Sequence, residues 1–402
     1  MSVSFDLTPQ QVEITKQANE FARKEIAPIA AEIDERDDSK LLLDIWKKMA
    51  QPPYAYTGMF IPSEYGGTPR SIMDICLIIE EVTAIGQSAV CVALLEVAGV
   101  GTKPLLLGGN DSLNKKYLPP IAKGEAIGCF GLTEPGIGSD AVALSTQANL
   151  VGDEYILKGR KRYLSFAHIA EYALVFAKTD PSKGAKGISG FVLPTNTPGF
   201  SVVEKVSCMG MRGHQDEEVA IDNCHIPKDH LIGEEGRGLR YALGALDDTR
   251  TTLTSGFIGL AKAALEEGVR FAKARKAFGQ PIAEFQAISF PLTDIAIEIE
   301  AARVLNYKAA WLADKGEKHT VETAAAKAFA SQLLTKATNV AMDVHGGFGG
   351  TKRFPIERIL RDGRIWVFAQ GTPNVQKLIV MRDLFDRLNP SPELLKEIEA
   401  KG

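Results

Sequence analysis

The spacing of apolar residues changes twice along the chain. From 8 to 124 they recur at three- and four-residue intervals, which predicts helices. Thr8, Pro9 and Gln11 supply an N-cap, a first-turn proline and a capping box, and the amphipathic run 12–33 follows them. Further helices are predicted around 40–50, 71–86, 88–100 and 113–123, with a turn-rich loop, Ile61-Pro-Ser-Glu-Tyr-Gly-Gly67, between them. From about 126 to 235 the pattern shortens. β-Branched and aromatic runs at 127–132, 155–157, 173–177, 190–193, 200–203 and 218–221 alternate with Gly, Pro, Asn and Asp, and Gly152-Asp153 marks a hairpin. Several short strands over so few residues predict a small β-barrel or sandwich. The helical period returns from about 236, with long amphipathic stretches at 256–275, 286–313 and 321–344.

The expectation is therefore an α+β chain in three domains: helical over 1–125, β over 126–235 and helical over 236–402. There is no βαβ alternation and no Gly-x-Gly-x-x-Gly after a strand, which argues against a nicotinamide-binding Rossmann domain. Composition narrows the partners. The formal charge is only -4 and no long like-charge block occurs, so neither nucleic acid nor an anionic membrane surface is indicated. The longest apolar stretch, 88–107, is interrupted by Glu96, Lys103 and Pro104, so no membrane span is predicted, and the first residues do not read as a signal peptide. Five scattered cysteines without a Cys-x-x-Cys fit a reduced, cytoplasmic setting, and six histidines without ligand spacing give no metal site.

Six segments carry candidate chemistry. Phe130-Gly-Leu-Thr-Glu-Pro-Gly-Ile-Gly-Ser-Asp140 leaves a strand and enters a Gly-rich loop, where backbone N–H groups, Thr133 and Ser139 could approach a flat ligand; a plain tight turn is the alternative. Tyr163 and Ser165, two apart on a strand, would share a face suited to stacking on a ring and bonding its edge. Leu246-Asp-Asp-Thr-Arg250 is read as opening a long helix. Arg275-Lys-Ala-Phe-Gly279, with Phe285-Gln286, reads as a phosphate clamp or a solvated face. His345-Gly-Gly-Phe-Gly-Gly350 is a turn that could admit a ligand to bare backbone, and Gln370-Gly-Thr372 offers N–H groups just before the last long helix.

Together, and in this order, Tyr65-Gly-Gly, Leu132-Thr-Glu-Pro-Gly-Ile-Gly-Ser-Asp140, Arg275-Lys-Ala-Phe-Gly-Gln-Pro-Ile282 and Gly371-Thr resemble the acyl-CoA dehydrogenase family over about residues 5–388; Asp247-Asp-Thr-Arg250 and Gln286-Ala-Ile-Ser-Phe290 resemble its medium-chain branch. The resemblance implies a C-terminal four-helix bundle, a homotetramer, and FAD lying across a subunit boundary. It implies that Phe130, Leu132, Thr133, Ser139, Tyr163 and Ser165 hold flavin within one subunit. Arg275, Phe278, Gln286, Asp343, Val344, His345, Gly346 and Gly347 would reach a neighbour's FAD, and Thr372 and Asn374 would also touch it. Ser139, Thr179, Asp247, Thr249, Arg250 and Gly371 would meet the CoA ester. Tyr163 replaces the family's usual Trp and Phe166 its usual Asn. The implied reaction removes an α-proton from a thioester polarised by a backbone N–H and a ribityl hydroxyl, passes a hydride to flavin, and hands electrons to an electron-transfer flavoprotein.

The chain departs from the family at its base. The position before Gly-Thr, normally glutamate, is Gln370, and the alternative seat used by some branches is Thr249. Neither side chain accepts a proton near pH 7. One reading relocates the base to Glu96, on the segment that lines the acyl pocket in the family, as in relatives that oxidise cyclic acyl groups by 1,4-elimination. Glu96 could equally pair with a buried polar group. Asp248 is a second candidate, expected to be exposed. Another reading is a non-redox enzyme like 3-sulfinopropionyl-CoA desulfinase, which needs a cation such as Lys103 or Arg70. The last is a catalytically inactive acyl-CoA-binding flavoprotein, with Gln370 replacing glutamate naturally or by engineering.

Overall fold

The structure is a computed structural model, which describes residues 6–88 and 97–388 together with Leu394 and Ile398. Helix α1, Pro9–Phe21, opens with the expected capping box: Thr8 Oγ1 accepts from the Gln11 N–H and Gln11 Oε1 from the Thr8 N–H. The helix predicted over 12–33 does not run through. A π-turn, Ala22–Ile26, follows α1, and the chain restarts as α2, Ala30–Arg36. Pro28 lies between them and can neither donate to the ladder nor avoid the preceding turn. Helices α3 (Lys40–Met49), α4 (Ile72–Gly86), α5 (Lys103–Gly108) and α6 (Asp111–Ala122) complete the N-terminal region. Most of the helix predicted at 88–100 lies outside the described residues; 97–100 is helical.

The middle region is one curled, seven-stranded sheet: β1 (Gly128–Gly131), β2 (Gln147–Val151), β3 (Glu154–Ser165), β4 (Tyr172–Lys178), β5 (Ile188–Pro194), β6 (Phe200–Lys205) and β7 (Asp216–Pro227). Its order is β1-β4-β2-β3-β7-β6, with β5 on β4, so the ladder does not close into a barrel among the described residues. Register shifts within β3–β7 and β6–β7 bend it. Strand β3 is far longer than the 155–157 run predicted, because its second half, Lys158-Gly-Arg-Lys-Arg, hides the alternation behind cations.

In the C-terminal region, α7 (Gly238–Ala274) is joined by α8 (Gln286–Asp314), α9 (Thr320–His345), α10 (Ile356–Trp366) and α11 (Pro373–Arg387). α7 starts well before residue 256. The Thr-rich stretch 249–254 is weak helix former on propensity, but here it is buried, and Thr249, Thr251 and Thr254 return their hydroxyls to carbonyls four residues back. Asp247 to Arg250 therefore lie in the third and fourth turns of α7 rather than at its start. α4 packs on α7 across Gly259, where a Cβ would stand 2.3 Å from the Glu80 carbonyl oxygen. No helix among the described residues is long and apolar enough to cross a membrane.

Candidate functional site

The chain at the end of β1 meets the bulged end of β3, and together they gather five predicted residues. Phe130 packs against Phe176 with its ring tilted, centroids 5.1 Å apart. Beyond β1, the Leu132 carbonyl accepts from Lys161 Nζ at 3.3 Å and the Thr133 carbonyl from the Arg162 N–H at 2.9 Å, which places both beside Tyr163. Tyr163 has φ +61° within a register shift, so simple alternation with Ser165 is interrupted; its ring is half exposed. Ser165 donates to Asp216 at 2.9 Å and lies 2.8 Å from His214 Nε2. Phe166 is buried with its ring against His214.

The loop after Thr133 is organised by Glu134. Its backbone exchanges two 3.0 Å bonds with Ile137, and its carboxylate accepts from Lys161 at 2.8 Å and from the N–H and hydroxyl of both Ser145 and Thr146. Burial alone would raise the Glu134 carboxyl, but the Lys161 charge and these donors hold it well below the usual range. Gly136 (φ +87°) and Gly138 face open space, with Ser139 on the same open loop. Thr179 follows β4, 2.8 Å from Ser189 Oγ.

The second locus is the turn before α11. Gln370 and Gly371 have φ of +54° and +99°. The hydroxyl of fully buried Thr249 is shared between the Ala245 carbonyl at 2.9 Å and Gln370 Oε1 at 3.0 Å. Arg250 Nε donates to the Gln370 carbonyl at 2.8 Å and its Nη1 to Asp247 at 3.2 Å, while Asp247 also accepts from Thr320. Lys327, a residue the sequence did not single out, donates to the carbonyls of Ala369 and Gly371. Thr372 caps α11 through the Val375 N–H, with Asn374 in the first turn.

Asp248 is not exposed as expected. It is largely buried and pairs with Lys103 and, at 3.3 Å, with His319. Burial would raise its carboxyl, yet the His319 hydrogen bond and the Lys103 charge keep it below the ordinary value. Glu96 lies outside the described residues. The chain just after it is placed: a Cβ on Gly99 would meet Thr249 Cγ2 at 2.8 Å and Phe60 at 3.1 Å, and one on Gly101 would meet the Gly128 carbonyl oxygen at 2.4 Å. Segment 97–102 therefore links the turn to the sheet locus.

The remaining predicted residues collect elsewhere. A cleft of about 550 Å³ is lined by Arg275, Val344, His345, Gly346 and Gly347, together with Phe271, Ile282, Phe348, Thr351 and Arg353, and by no residue of the seven-stranded sheet. Asp343 belongs to the last turn of α9, and Gln286 begins α8. Phe278, on the two-residue hairpin β8 (Lys276–Ala277) and β9 (Gln280–Pro281), is 95% exposed. Phe348 falls within the turn singled out from the sequence, whereas Phe271 and Arg353 were missed, although the cation in Thr-Lys-Arg-Phe354 just before a Pro-initiated helix was a visible signal. The lining suits a nucleotide diphosphate: two guanidinium groups, aromatic faces, and bare backbone at Gly346 and Gly347, which have open space where a Cβ would stand. His345 Nδ1 is bound to the Ala341 carbonyl, leaving Nε2 buried without a hydrogen-bond partner among the described residues.

Comparison with known proteins covers almost the whole chain. The Acyl-CoA dehydrogenase N-terminal domain family matches residues 8–125, the middle domain family 129–224 and the C-terminal domain family 236–385. The probable acyl-CoA dehydrogenase YngJ of Bacillus subtilis is 38% identical over 384 residues, covering 95% of this chain and all of that protein. A 3-(aryl)acrylate reductase of Clostridium sporogenes is 39% identical over 377 residues, 94% of this chain and 99% of that one. The solved butyryl-CoA dehydrogenase of Megasphaera elsdenii superposes with a TM-score of 0.89 at 33% identity, over 95% of this chain and 100% of the other.

Proposed function

Since the chain belongs to the acyl-CoA dehydrogenase family, we propose that it is an FAD-dependent oxidoreductase acting on the CH–CH group of an acyl-CoA whose acyl portion is cyclic or otherwise unusual. The observation that carries the second half is the hydrogen bond between Thr249 and Gln370. The two positions where the family seats its glutamate hold neutral groups, and those groups are bonded to each other. Losing a general base typically costs about 10²–10⁴ in rate, so a working enzyme needs its proton acceptor elsewhere. Asp248 is a poor substitute, because Lys103 and His319 neutralise it and favour its ionised form. Glu96, which the sequence puts three residues before Gly99, is the acceptor we assign. Relatives that oxidise cyclic acyl groups by 1,4-elimination carry an acid on this segment in place of the usual glutamate, which is the basis for a cyclic substrate.

Phe130, Leu132, Thr133, Ser139, Tyr163 and Ser165 would hold the flavin end, and the cleft with Arg275, His345, Gly346 and Gly347 the nucleotide end, of FAD molecules belonging to different sites. Bound FAD supplies the two-electron acceptor for CH–CH oxidation. The Gln370 N–H would hold the thioester oxygen, and Ser139, Thr179, Asp247, Arg250 and Gly371 the CoA ester. A homotetramer accounts for Phe278 and for the apolar residues left on the surface of α8 (Phe290, Ile297, Val304) and α11 (Leu378, Phe385). An electron-transfer flavoprotein is the acceptor that the family relationship suggests. The desulfinase reading is disfavoured by its cations: Lys103 is paired with Asp248, and Arg70 donates to the Tyr54 carbonyl.

The test is an anaerobic flavin-bleaching screen with linear, branched and cyclic CoA esters. Bleaching by cyclic esters, abolished by Glu96→Gln, is expected. Sulfite release from 3-sulfinopropionyl-CoA without bleaching, or flavin that no ester reduces, would sink the proposal.

A further inference from the structure

Three consecutive carbonyls at the turn, those of Ala369, Gln370 and Gly371, are all taken by two buried cations. Arg250 takes the middle one. Lys327 takes the other two, reaching across from the interior of α9, where it is 0% exposed among Ala324, Ala326, Ala328 and Ala330. A lysine so placed is costly to bury, so its contacts matter. The Ala369 carbonyl and the Gln370 N–H belong to one peptide group. A cation on the oxygen draws electron density through the amide and strengthens the N–H as a donor, since hydrogen bonds in series polarise one another and charged ones are about twice as strong as neutral ones. The same lysine, bound on both sides of Gln370, holds a left-handed conformation that side-chain-bearing residues rarely adopt.

We infer that Lys327 is a positioning residue for the thioester, aiming and polarising the Gln370 N–H so that this donor grips the substrate oxygen. The inference rests on the functional reading above, in which that N–H faces the thioester. It also gives the turn a role that survives the loss of the glutamate: activation of the carbonyl is built into the backbone and its cations rather than into the side chain at 370. Arg250 does the same for the Gly371 N–H through the Gln370 carbonyl.

The experiment uses the full-length, FAD-loaded protein with cinnamoyl-CoA carrying ¹³C at the thioester carbonyl, read by infrared difference spectroscopy. In the wild type the bound carbonyl band is expected below its position in water. Lys327→Met should return most of that shift, and turnover on any ester that bleaches the flavin should fall about tenfold in kcat with little change in KM, less than the roughly 10²–10³ lost when an oxyanion donor is removed outright. Lys327→Arg keeps the charge and should restore much of the shift. Lys327→Gln keeps a donor without the charge, and serves if the methionine variant does not fold. A Met or Gln variant that binds the ester with the wild-type band overturns the inference alone. A wild-type protein that does not bind the ester, or binds it without shifting the band, overturns the functional reading and the inference with it.

Discussion

The turn at 369–371 and the cleft around 345–353 are both short glycine-containing links between helices of the same bundle, and they are built in opposite ways. At the turn every carbonyl is gripped, the side chain of Gln370 is bonded to Thr249, and even the Gly371 carbonyl is bonded twice, by Lys327 and Gln376. At the cleft, Gly346 and Gly347 face open space, the buried Nε2 of His345 has no partner among the described residues, and Phe278, between the lining residues Arg275 and Ile282 in sequence, stands almost wholly in solvent. The first is complete within one chain. The second is open, and its guanidinium and aromatic lining fits the nucleotide end of the cofactor proposed for it. Preorganisation is expected where bonds must be made or broken, and openness where a large ligand or a second subunit must arrive.

The largest expected effect comes from breaking the neutrality of the turn. Gln370→Glu puts a carboxylate next to Thr249 and should raise α,β-dehydrogenation of a linear ester such as butyryl-CoA by about 10²–10⁴, read as anaerobic flavin bleaching; no gain would mean the turn does not face the substrate α-carbon. Next, the sheet locus should behave like the turn, as a self-sufficient structure. Lys161→Met removes the cation facing the buried Glu134 carboxylate and should cost about 3–5 kcal/mol of stability by denaturant unfolding, with much of it recovered in a Lys161→Met, Glu134→Gln double variant. The cleft should respond differently. Arg275→Ala is expected to weaken FAD retention by about tenfold or more, about 1.5–3 kcal/mol for a charge-assisted hydrogen bond, while the flavin-free protein melts at an unchanged temperature. Loss of folding in that variant would show that the cleft is structural rather than open for a ligand.

How far the sequence revealed this contrast can be argued from individual residues. The α–β–α order, the capping box at Thr8 and the Gly-rich loop at 134–138 were visible because periodicity and turn chemistry are local properties. The length of α7 was not, because Thr249 to Thr254 read as poor helix formers until burial and back-bonded hydroxyls are known. The second half of β3 was masked by its cations, one of which, Lys161, turns out to be fully buried against Glu134. Lys327 gave no signal at all: in Ala-Ala-Ala-Lys-Ala-Phe it looks like an ordinary solvated helix lysine, and only the long-range approach of 369–371 makes it part of the site. The family motifs, by contrast, marked Gln370 and Thr249 as the altered seats without showing that the two touch.

The smallest effect sharpens the comparison through the helix that leads into the turn. Asp362 on α10 accepts from the Met211 N–H at 2.7 Å, and burial, outweighing that bond, lifts its carboxyl to about 6. The folded state therefore prefers the protonated acid over an unfolded value of about 3.9. Its stabilising contribution is complete below about pH 4 and lost as pH rises through about 6, on the order of 1–3 kcal/mol. Asp362→Asn, which cannot titrate, should flatten that part of the stability profile; an unchanged slope between pH 4 and 6 would show that another group sets it.

The direct measurement of the central claim, that the proton-accepting seat at the turn is an amide locked to a threonine, is hydrogen–deuterium exchange at the α-carbon of butyryl-CoA bound to the FAD-loaded protein in D₂O, followed by NMR. The wild type is expected to leave the α-protons in place over times in which Gln370→Glu exchanges them fully. Exchange by the wild type within about tenfold of the glutamate variant's rate would contradict the account.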